Sequence, residues 1–301
     1  MREHSFLSLG PHGFHRIAYT EWGNPDNAHV VVCVHGLTRN ARDFDFLAAA
    51  LQSDCRVVCP DMPGRGNSER LGHAEDYNYT VYVADMAALL ARLGAGGHSK
   101  ILNLAAKIFG RVKNPIIDWV GTSMGGLIGM MIAAQPKSPI RRLVMNDVGP
   151  LVPAAALRRL GEYVGKDPQF ASLEEFEAYV RKVSSPFGPL TDAQWRHLAL
   201  HSVKQHEDGR YGFKYDPAIG APLKATIFQD VELWSFWENV RCPVLILRGA
   251  ESDLLLRETA EKMCKREAPT QLVELPGIGH APMLMTDDQI KIVRDFLLAS
   301  D

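Results

Sequence analysis

The segment 116–126 constrains the fold of this chain more than any other stretch of its sequence. It begins with five mostly apolar residues, continues through Gly-Thr-Ser-Met-Gly and leads into a segment rich in small and apolar residues. This order predicts a buried strand, a very tight turn and a helix that begins at the turn. Gly121 and Gly125 flank Ser123 at positions where a Cβ would collide with the neighbouring strand or helix. The pattern therefore predicts that Ser123 is exposed at the apex of the turn.

A serine at such an apex is a candidate nucleophile. A hydroxyl is a poor nucleophile at neutral pH, so Ser123 would need a neighbouring general base and hydrogen-bond donors for an oxyanion. The pattern Gly-x-Ser-x-Gly also arises by chance. The alternative interpretation is a glycine-rich turn between strand and helix in which the serine has no catalytic role. The interpretation therefore depends on residues elsewhere in the chain.

The rest of the chain alternates between apolar runs and helical patterns. Five runs are typical of strands buried on both faces of a parallel sheet: 29–34, 56–60, 142–146, 243–247 and 271–275. Residues 4–24 suit a hairpin at the sheet edge. We therefore predict an α/β fold with a doubly wound, mostly parallel sheet.

The alternation stops between the strands at 142–146 and 243–247. Helical patterns at 154–163, 173–183 and 192–203 follow one another there, joined by turns that contain proline or glycine. We predict that residues 1–150 and 227–301 form the core domain and that 151–226 form a helical lid.

Composition narrows the class of partner. The chain has 301 residues, of which 46% are hydrophobic, and its net charge of −2 offers no electrostatic footprint for nucleic acid. A small molecule is the expected partner. There is no apolar leader and no run long enough to span a bilayer, and the five cysteines include no Cys-x-x-Cys pair. These features predict a reduced, cytoplasmic protein.

Five motifs in the order of the chain resemble those of the α/β-hydrolase family. They are His35-Gly36, the loop Asp-x-Pro-Gly-x-Gly-x-Ser at 61–68, Gly-Thr-Ser-Met-Gly-Gly at 121–126, Arg-Gly-Ala-x-Ser-Asp at 248–253 and Gly-Ile-Gly-His-Ala-Pro at 277–282. The resemblance covers 15–149 and 230–298 and implies the fold of that family. It says much less about the substrate.

The resemblance also implies a catalytic triad of Ser123, Asp253 and His280, in the chain order that the family uses. His280 would act as general base towards Ser123 and then as general acid, while Asp253 would orient the imidazole. Two other acids remain alternatives to Asp253: Asp147, at the end of strand 142–146, and Glu251.

The oxyanion hole implied by the resemblance consists of two backbone N–H groups. One belongs to Met124, directly after the serine, and the other to Leu37, directly after His35-Gly36. His35 itself is expected to be a hydrogen-bonding residue that supports this loop.

Together these features predict a serine hydrolase that cleaves a carboxylic ester through an acyl-enzyme on Ser123, with no cofactor. The small-molecule ester could be a simple acyl ester, a lactone or a short hydroxyalkanoate oligomer. The same triad also serves hydrolases of carbon–carbon bonds in ring-cleavage products. Those relatives usually have Gly-Asn-Ser at the turn, so Thr122 argues against that alternative. A ligand receptor that keeps the fold without turnover is the third hypothesis.

Two features have no place in the triad. His197 and His201 lie four residues apart, with His206 nearby, and this spacing is compatible with a metal site. Because the chain has no His-Glu-x-x-His pattern, we predict that these histidines lie on the surface of the lid and bind no metal.

Residues 94–115 form an excursion that most relatives lack. An extra helix on the core would explain it, and a homodimer or surface contact through 97–113 is the alternative.

Overall fold

The computed structural model describes residues 1–94, 115–226 and 229–300. Its centre is an eight-stranded sheet with the order β1-β2-β4-β3-β5-β6-β11-β12. These strands are β1 (Arg2–Gly10), β2 (Gly13–Trp22), β3 (His29–Val34), β4 (Arg56–Pro60), β5 (Ile116–Thr122), β6 (Ile140–Asn146), β11 (Val244–Gly249) and β12 (Thr270–Leu275). Two small pairs complete the strands: β7 (Leu151–Val152) with β10 (Val231–Glu232), and β8 (Val203–Gln205) with β9 (Tyr211–Phe213).

Helices lie on both faces of the large sheet and in the segment between β6 and β11. In chain order they are α1 (Asp45–Leu51), α2 (Tyr79–Arg92), α3 (Met124–Ala133), α4 (Ala154–Gly161), α5 (Leu173–Val183), α6 (Asp192–Ser202), α7 (Ala221–Thr226), α8 (Trp234–Trp237), α9 (Arg257–Met263) and α10 (Asp287–Leu298). No helix within 1–94, 115–226 or 229–300 has both the length and the apolar character that a bilayer crossing requires.

Strand β3 shows why the sheet is doubly wound. Val30, Val32 and Val34 belong to the hydrophobic core on one face of the sheet, whereas Val31 and Cys33 belong to the core on the other. Successive side chains of a strand point to opposite faces, so a continuous apolar run requires helices on both sides. Strands β3 to β6 with β11 and β12 pair in parallel, and the β1–β2 hairpin joins the edge at β4 antiparallel. The predicted sheet and its edge hairpin are confirmed.

The insertion between β6 and β11 begins and ends at one short pair of strands. Val152 of β7 lies opposite Val231 of β10, so the chain leaves the core and returns to it at the same place. The insertion holds the predicted helices, now α4 to α6, and the β8–β9 hairpin, which the sequence interpretation did not include. That hairpin is mostly half-buried or exposed, so its residues lack the apolar run that marks a core strand. The division of the chain at 150 and 227 stays a prediction, and the proposed contact surface at 97–113 lies outside the described residues.

Candidate active site

Ser123 occupies a strained turn between β5 and α3. Its φ of 53° and ψ of −118° place a residue other than glycine at positive φ. The two flanking glycines make this turn fit. A Cβ on Gly121 would lie 2.2 Å from the carbonyl oxygen of Gly125, and one on Gly125 would lie 2.0 Å from the carbonyl oxygen of Val34. Helix α3 therefore lies closer to β3 and β5 than any side chain at these positions would allow.

We expect Gly125→Ala to lower the free energy of unfolding by about 3 kcal/mol or more, because its methyl group would collide with backbone that cannot move aside. Gly72→Ala is the matched control: nothing lies within 4 Å of a Cβ there, and a change below about 0.5 kcal/mol is expected. Urea unfolding of the two variants measures the difference. Equal stability of the two variants would contradict this account of the turn.

The imidazole of His280 lies beside Ser123, as predicted. Its Nε2 is 2.9 Å from Ser123 Oγ, and its Nδ1 is 2.7 Å from an oxygen of Asp147. An imidazole that donates from Nδ1 to a carboxylate has Nε2 free to accept the serine proton. The arrangement can therefore activate the hydroxyl as a nucleophile.

The carboxylate at His280 is Asp147, so the prediction that Asp253 makes this contact is wrong. Asp147 is fully buried, and besides His280 it accepts hydrogen bonds from the backbone N–H of Gly249 at 2.8 Å and from the hydroxyl of Ser252 at 2.6 Å. Three donors hold this carboxylate in one orientation.

Asp253 lies on the surface instead. Its side chain is 48% exposed and forms a bidentate pair with Arg159 of α4, at 2.5 and 2.8 Å. Glu251, the other alternative, is also exposed. Of residues 250–253, which follow β11, Ser252 is the one that is buried, and it contacts the same carboxylate of Asp147 that contacts His280. The loop after β11 therefore supports the carboxylate of Asp147 through Ser252 but does not supply the carboxylate that contacts His280.

The order of the strands explains the position of Asp147. Strand β6 lies directly beside the serine strand β5, with Thr122 opposite Asn146, and Asp147 is the next residue. Asn146 also donates to Thr122 Oγ1 at 3.0 Å and to the carbonyl of Pro282 at 2.7 Å. This amide ties the serine turn to the loop of His280, a positioning contact that the sequence analysis missed.

His35 supports the loop that carries Leu37, as expected. It is fully buried; its Nδ1 donates to the carbonyl of Gly36 at 2.7 Å, and its Nε2 accepts from the backbone N–H of Met62 at 2.9 Å. Burial, together with the nearby charges of Arg65 and Arg39, lowers the pKa of His35 to about 3. The neutral imidazole can therefore keep both hydrogen bonds at neutral pH.

Arg65 holds both predicted oxyanion residues, which sequence reasoning did not find. It is only 1% exposed, donates from Nε to the carbonyl of Leu37 at 2.8 Å and contacts the sulfur of Met124 at 3.7 Å. The Leu37 loop is close to the nucleophile, because a Cβ on Gly36 would lie 3.6 Å from the Cβ of Ser123. The signal was an arginine within the glycine- and proline-rich loop 61–68.

A pocket formed by the core and the insertion lies over Ser123. Its wall is mainly apolar and aromatic, but it also contains the guanidinium groups of Arg39 and Arg159. Each is already paired with a carboxylate, Arg39 with Asp43 and Arg159 with Asp253. The apolar and aromatic lining includes Leu37, Phe44, Leu160, Tyr163, Tyr179, Phe187, Phe213 and Met283.

Comparison with known proteins identifies the family of this chain. A model of the alpha/beta hydrolase family matches residues 31–292. The chain is 44% identical, over 296 residues, to a 3-hydroxybutyrate-oligomer hydrolase of Cupriavidus necator, and the match covers 96% of this chain and 94% of that protein. A solved structure from Rickettsia typhi has a TM-score of 0.88 at 32% identity and covers 100% of both chains. An alpha/beta hydrolase from Novosphingobium aromaticivorans has a TM-score of 0.82 at 33% identity and covers 98% of both.

The chain therefore belongs to the alpha/beta hydrolase family. Within that family it is a carboxylic ester hydrolase, as the sequence predicted.

Proposed function

We propose that this protein hydrolyses short oligomers of 3-hydroxyalkanoic acids, with Ser123, His280 and Asp147 as its triad. The contact that carries the proposal is the continuous chain from Ser123 Oγ through His280 to a buried Asp147, at 2.9 and 2.7 Å. The 44% identical protein of Cupriavidus necator, a 3-hydroxybutyrate-oligomer hydrolase by name, supports the substrate class.

In the proposed reaction Ser123 Oγ attacks the ester carbonyl carbon while His280 Nε2 takes its proton. The tetrahedral oxyanion accepts hydrogen bonds from the backbone N–H groups of Leu37 and Met124. His280 then returns the proton to the leaving alkoxide, and an acyl-enzyme remains on Ser123. A water molecule, deprotonated by His280, attacks the acyl carbon; the bond from this carbon to Ser123 Oγ then breaks, the acid leaves, and His280 returns the proton to Ser123 Oγ. The carboxylate of Asp147 stabilises the imidazolium that forms in each half of the cycle.

The pocket wall suits such a substrate in two ways. Its aromatic and aliphatic side chains match the short alkyl groups of a hydroxyalkanoate chain. Its two arginines, Arg39 and Arg159, each pair with an aspartate, and the terminal carboxylate of an oligomer would share their N–H groups with Asp43 and Asp253. We further propose that residues 151–226 act as the lid of this pocket, since α4 and α5 contribute Leu160 and Tyr179 to its wall.

The test is release of the monomer from the linear trimer of 3-hydroxybutyrate, compared with p-nitrophenyl esters from acetate to decanoate and with Ser123→Ala protein as the blank. We expect the trimer to give a higher kcat/KM than any p-nitrophenyl ester. Methylating the terminal carboxylate of the trimer should raise KM, because the substrate then loses the charge that would share the guanidinium groups with Asp43 and Asp253.

If the protein hydrolyses p-nitrophenyl esters but not the trimer, it is an ester hydrolase whose substrate is not a hydroxyalkanoate oligomer. Turnover of a ring-cleavage product alone would favour the carbon–carbon hydrolase. Labelling of Ser123 by a serine-directed inhibitor without turnover of any of these substrates would favour the receptor.

We also propose a cytoplasmic location. Each of the five cysteines is a free thiol, and Cys33, Cys55 and Cys59 are buried. Burial raises the pKa of the Cys55 thiol to about 12, which makes this thiol unreactive. Such thiols pack as small apolar side chains and need no oxidising compartment.

A further inference from the structure

Three potential metal ligands from distant parts of the sequence meet where the insertion contacts the core. Asp45 is the first residue of α1, and His197 and His201 lie one turn apart on α6. Each offers one ligand atom, and the three atoms lie within 4.8 Å of one another. Asp45 is buried, unlike the exposed carboxylates that commonly gather at surfaces without an ion.

We propose that Asp45, His197 and His201 form a binding site for a divalent transition-metal ion of the zinc class, and that this ion fastens the insertion to the core. The proposal revises the sequence-based prediction of no metal. It is independent of the esterase chemistry, because none of the three residues belongs to the Ser123 site.

The ligand set fits zinc. Two imidazole nitrogens and one carboxylate oxygen are ligands that Zn²⁺ prefers, and a water molecule can fill the fourth position. The two rings lie with their centres 4.5 Å apart, and the facing nitrogen of His197 is 3.6 Å from Asp45. Tetrahedral ligands around zinc lie about 3.3 Å apart, so small side-chain rotations would bring the three atoms into the coordination shell.

Arg42 is the positively charged residue that contacts these ligands and opposes a cation there, and Lys214 adds positive charge nearby. Its guanidinium pairs with Asp45 at 2.5 to 3.0 Å, and its carbonyl oxygen lies 2.9 Å from His197 Nε2. An incoming ion must displace the His197 hydrogen bond and share the carboxylate with a positive charge. Removing the guanidinium should therefore tighten metal binding, whereas removing a ligand should weaken it.

The site has direct connections to the pocket wall. Asn40 donates to the carbonyl of His201 at 3.1 Å, and Arg39 donates to Ser202 Oγ at 3.1 Å. Phe44, the neighbour of Asp45, lines the pocket. An ion that ties α6 to α1 would thus hold the lid side of the pocket against the core and stabilise the folded chain.

The experiment is isothermal titration of the metal-free protein with Zn²⁺ at pH 7, with Co²⁺ absorption as a readout of coordination. We expect one Zn²⁺ per chain, a raised Tm in the presence of Zn²⁺ and a visible Co²⁺ spectrum. Asp45→Asn and His201→Gln should each weaken binding about tenfold or more, and Arg42→Gln should tighten it about tenfold. Circular dichroism confirms that each variant is folded.

His12→Gln is the matched control. His12 stacks on His73 at 3.8 Å and contacts Asp76 at 2.7 Å, so it also combines two histidines with a carboxylate, but near the β1–β2 turn. Zinc binding should be unchanged in this variant. The proposal is overturned if wild-type protein binds no Zn²⁺, if binding survives His201→Gln, if it is lost in His12→Gln, or if Arg42→Gln weakens it.

Discussion

Replacing Ser123 with alanine is expected to lower kcat by about 10⁶-fold while leaving the protein folded. The loss is large because the acyl-enzyme cannot form without Ser123 Oγ, and His280, 2.9 Å away, then has no nucleophile to activate. Binding should change little, since the pocket walls are intact. The positive φ of Ser123 is strained for alanine as for serine, so stability should change little as well.

Steady-state hydrolysis of p-nitrophenyl butyrate measures this effect, with Ser184→Ala as the matched control. Ser184 also lines the pocket, so its loss removes a hydroxyl from the same cavity and should change kcat only a few-fold. Mass spectrometry of wild-type protein quenched during turnover should find the acyl group on the peptide that contains Ser123. Equal rates for the two variants would show that Ser123 is not the nucleophile.

Ser123 and His280 could be predicted from the sequence because local constraints fix each of them. The serine turn needs small residues on both sides, and Gly121 and Gly125 have no room for a side chain. The apolar run of β3 likewise determines its burial on both faces. In such segments the local residue pattern is enough to predict the backbone conformation and the burial.

The acid could not be chosen in the same way. Asp147 and Asp253 both follow strands of the sheet, and both fit between or after the other motifs of the family. The choice depends on which strand lies beside β5 and on which way each loop turns its side chains. Arg159, which holds Asp253 at the surface, belongs to an insertion almost a hundred residues away. These are tertiary contacts that no local pattern contains.

Arg65 was missed for a related reason. An arginine in a glycine- and proline-rich loop is expected at the surface, yet this one is buried between Tyr77 and Tyr82 and donates to two carbonyl groups and to the hydroxyl of Tyr82. Only the folded loop reveals that one guanidinium supports Leu37 and Met124 together. The metal-ligand group differs, since His197 and His201 were noticed in the sequence and only the third ligand, Asp45, required the fold.

Replacing Asp147 with asparagine should lower kcat by about 10⁴-fold, whereas Asp253→Asn should change it only a few-fold. An amide at position 147 can donate to His280 Nδ1, and the imidazole proton would then lie on Nε2. A protonated Nε2 can no longer accept the proton of Ser123. Asp253 makes an exposed pair with Arg159, and such pairs contribute about 0–1 kcal/mol. The sequence alone predicted the opposite ranking of these two variants.

Because Asp147 also accepts from Gly249 and Ser252, the measurement must separate catalysis from stability. Urea unfolding and KM should therefore be compared alongside kcat, and Ser252→Ala serves as the control that removes one support of the carboxylate but keeps its charge. We expect Ser252→Ala to lose far less activity than Asp147→Asn, since the carboxylate at His280 remains. If Asp253→Asn instead gave the larger loss of kcat, the loop after β11 would have to reorganise when substrate binds. The acid would then be the residue that the motif order suggests and not the one that contacts His280.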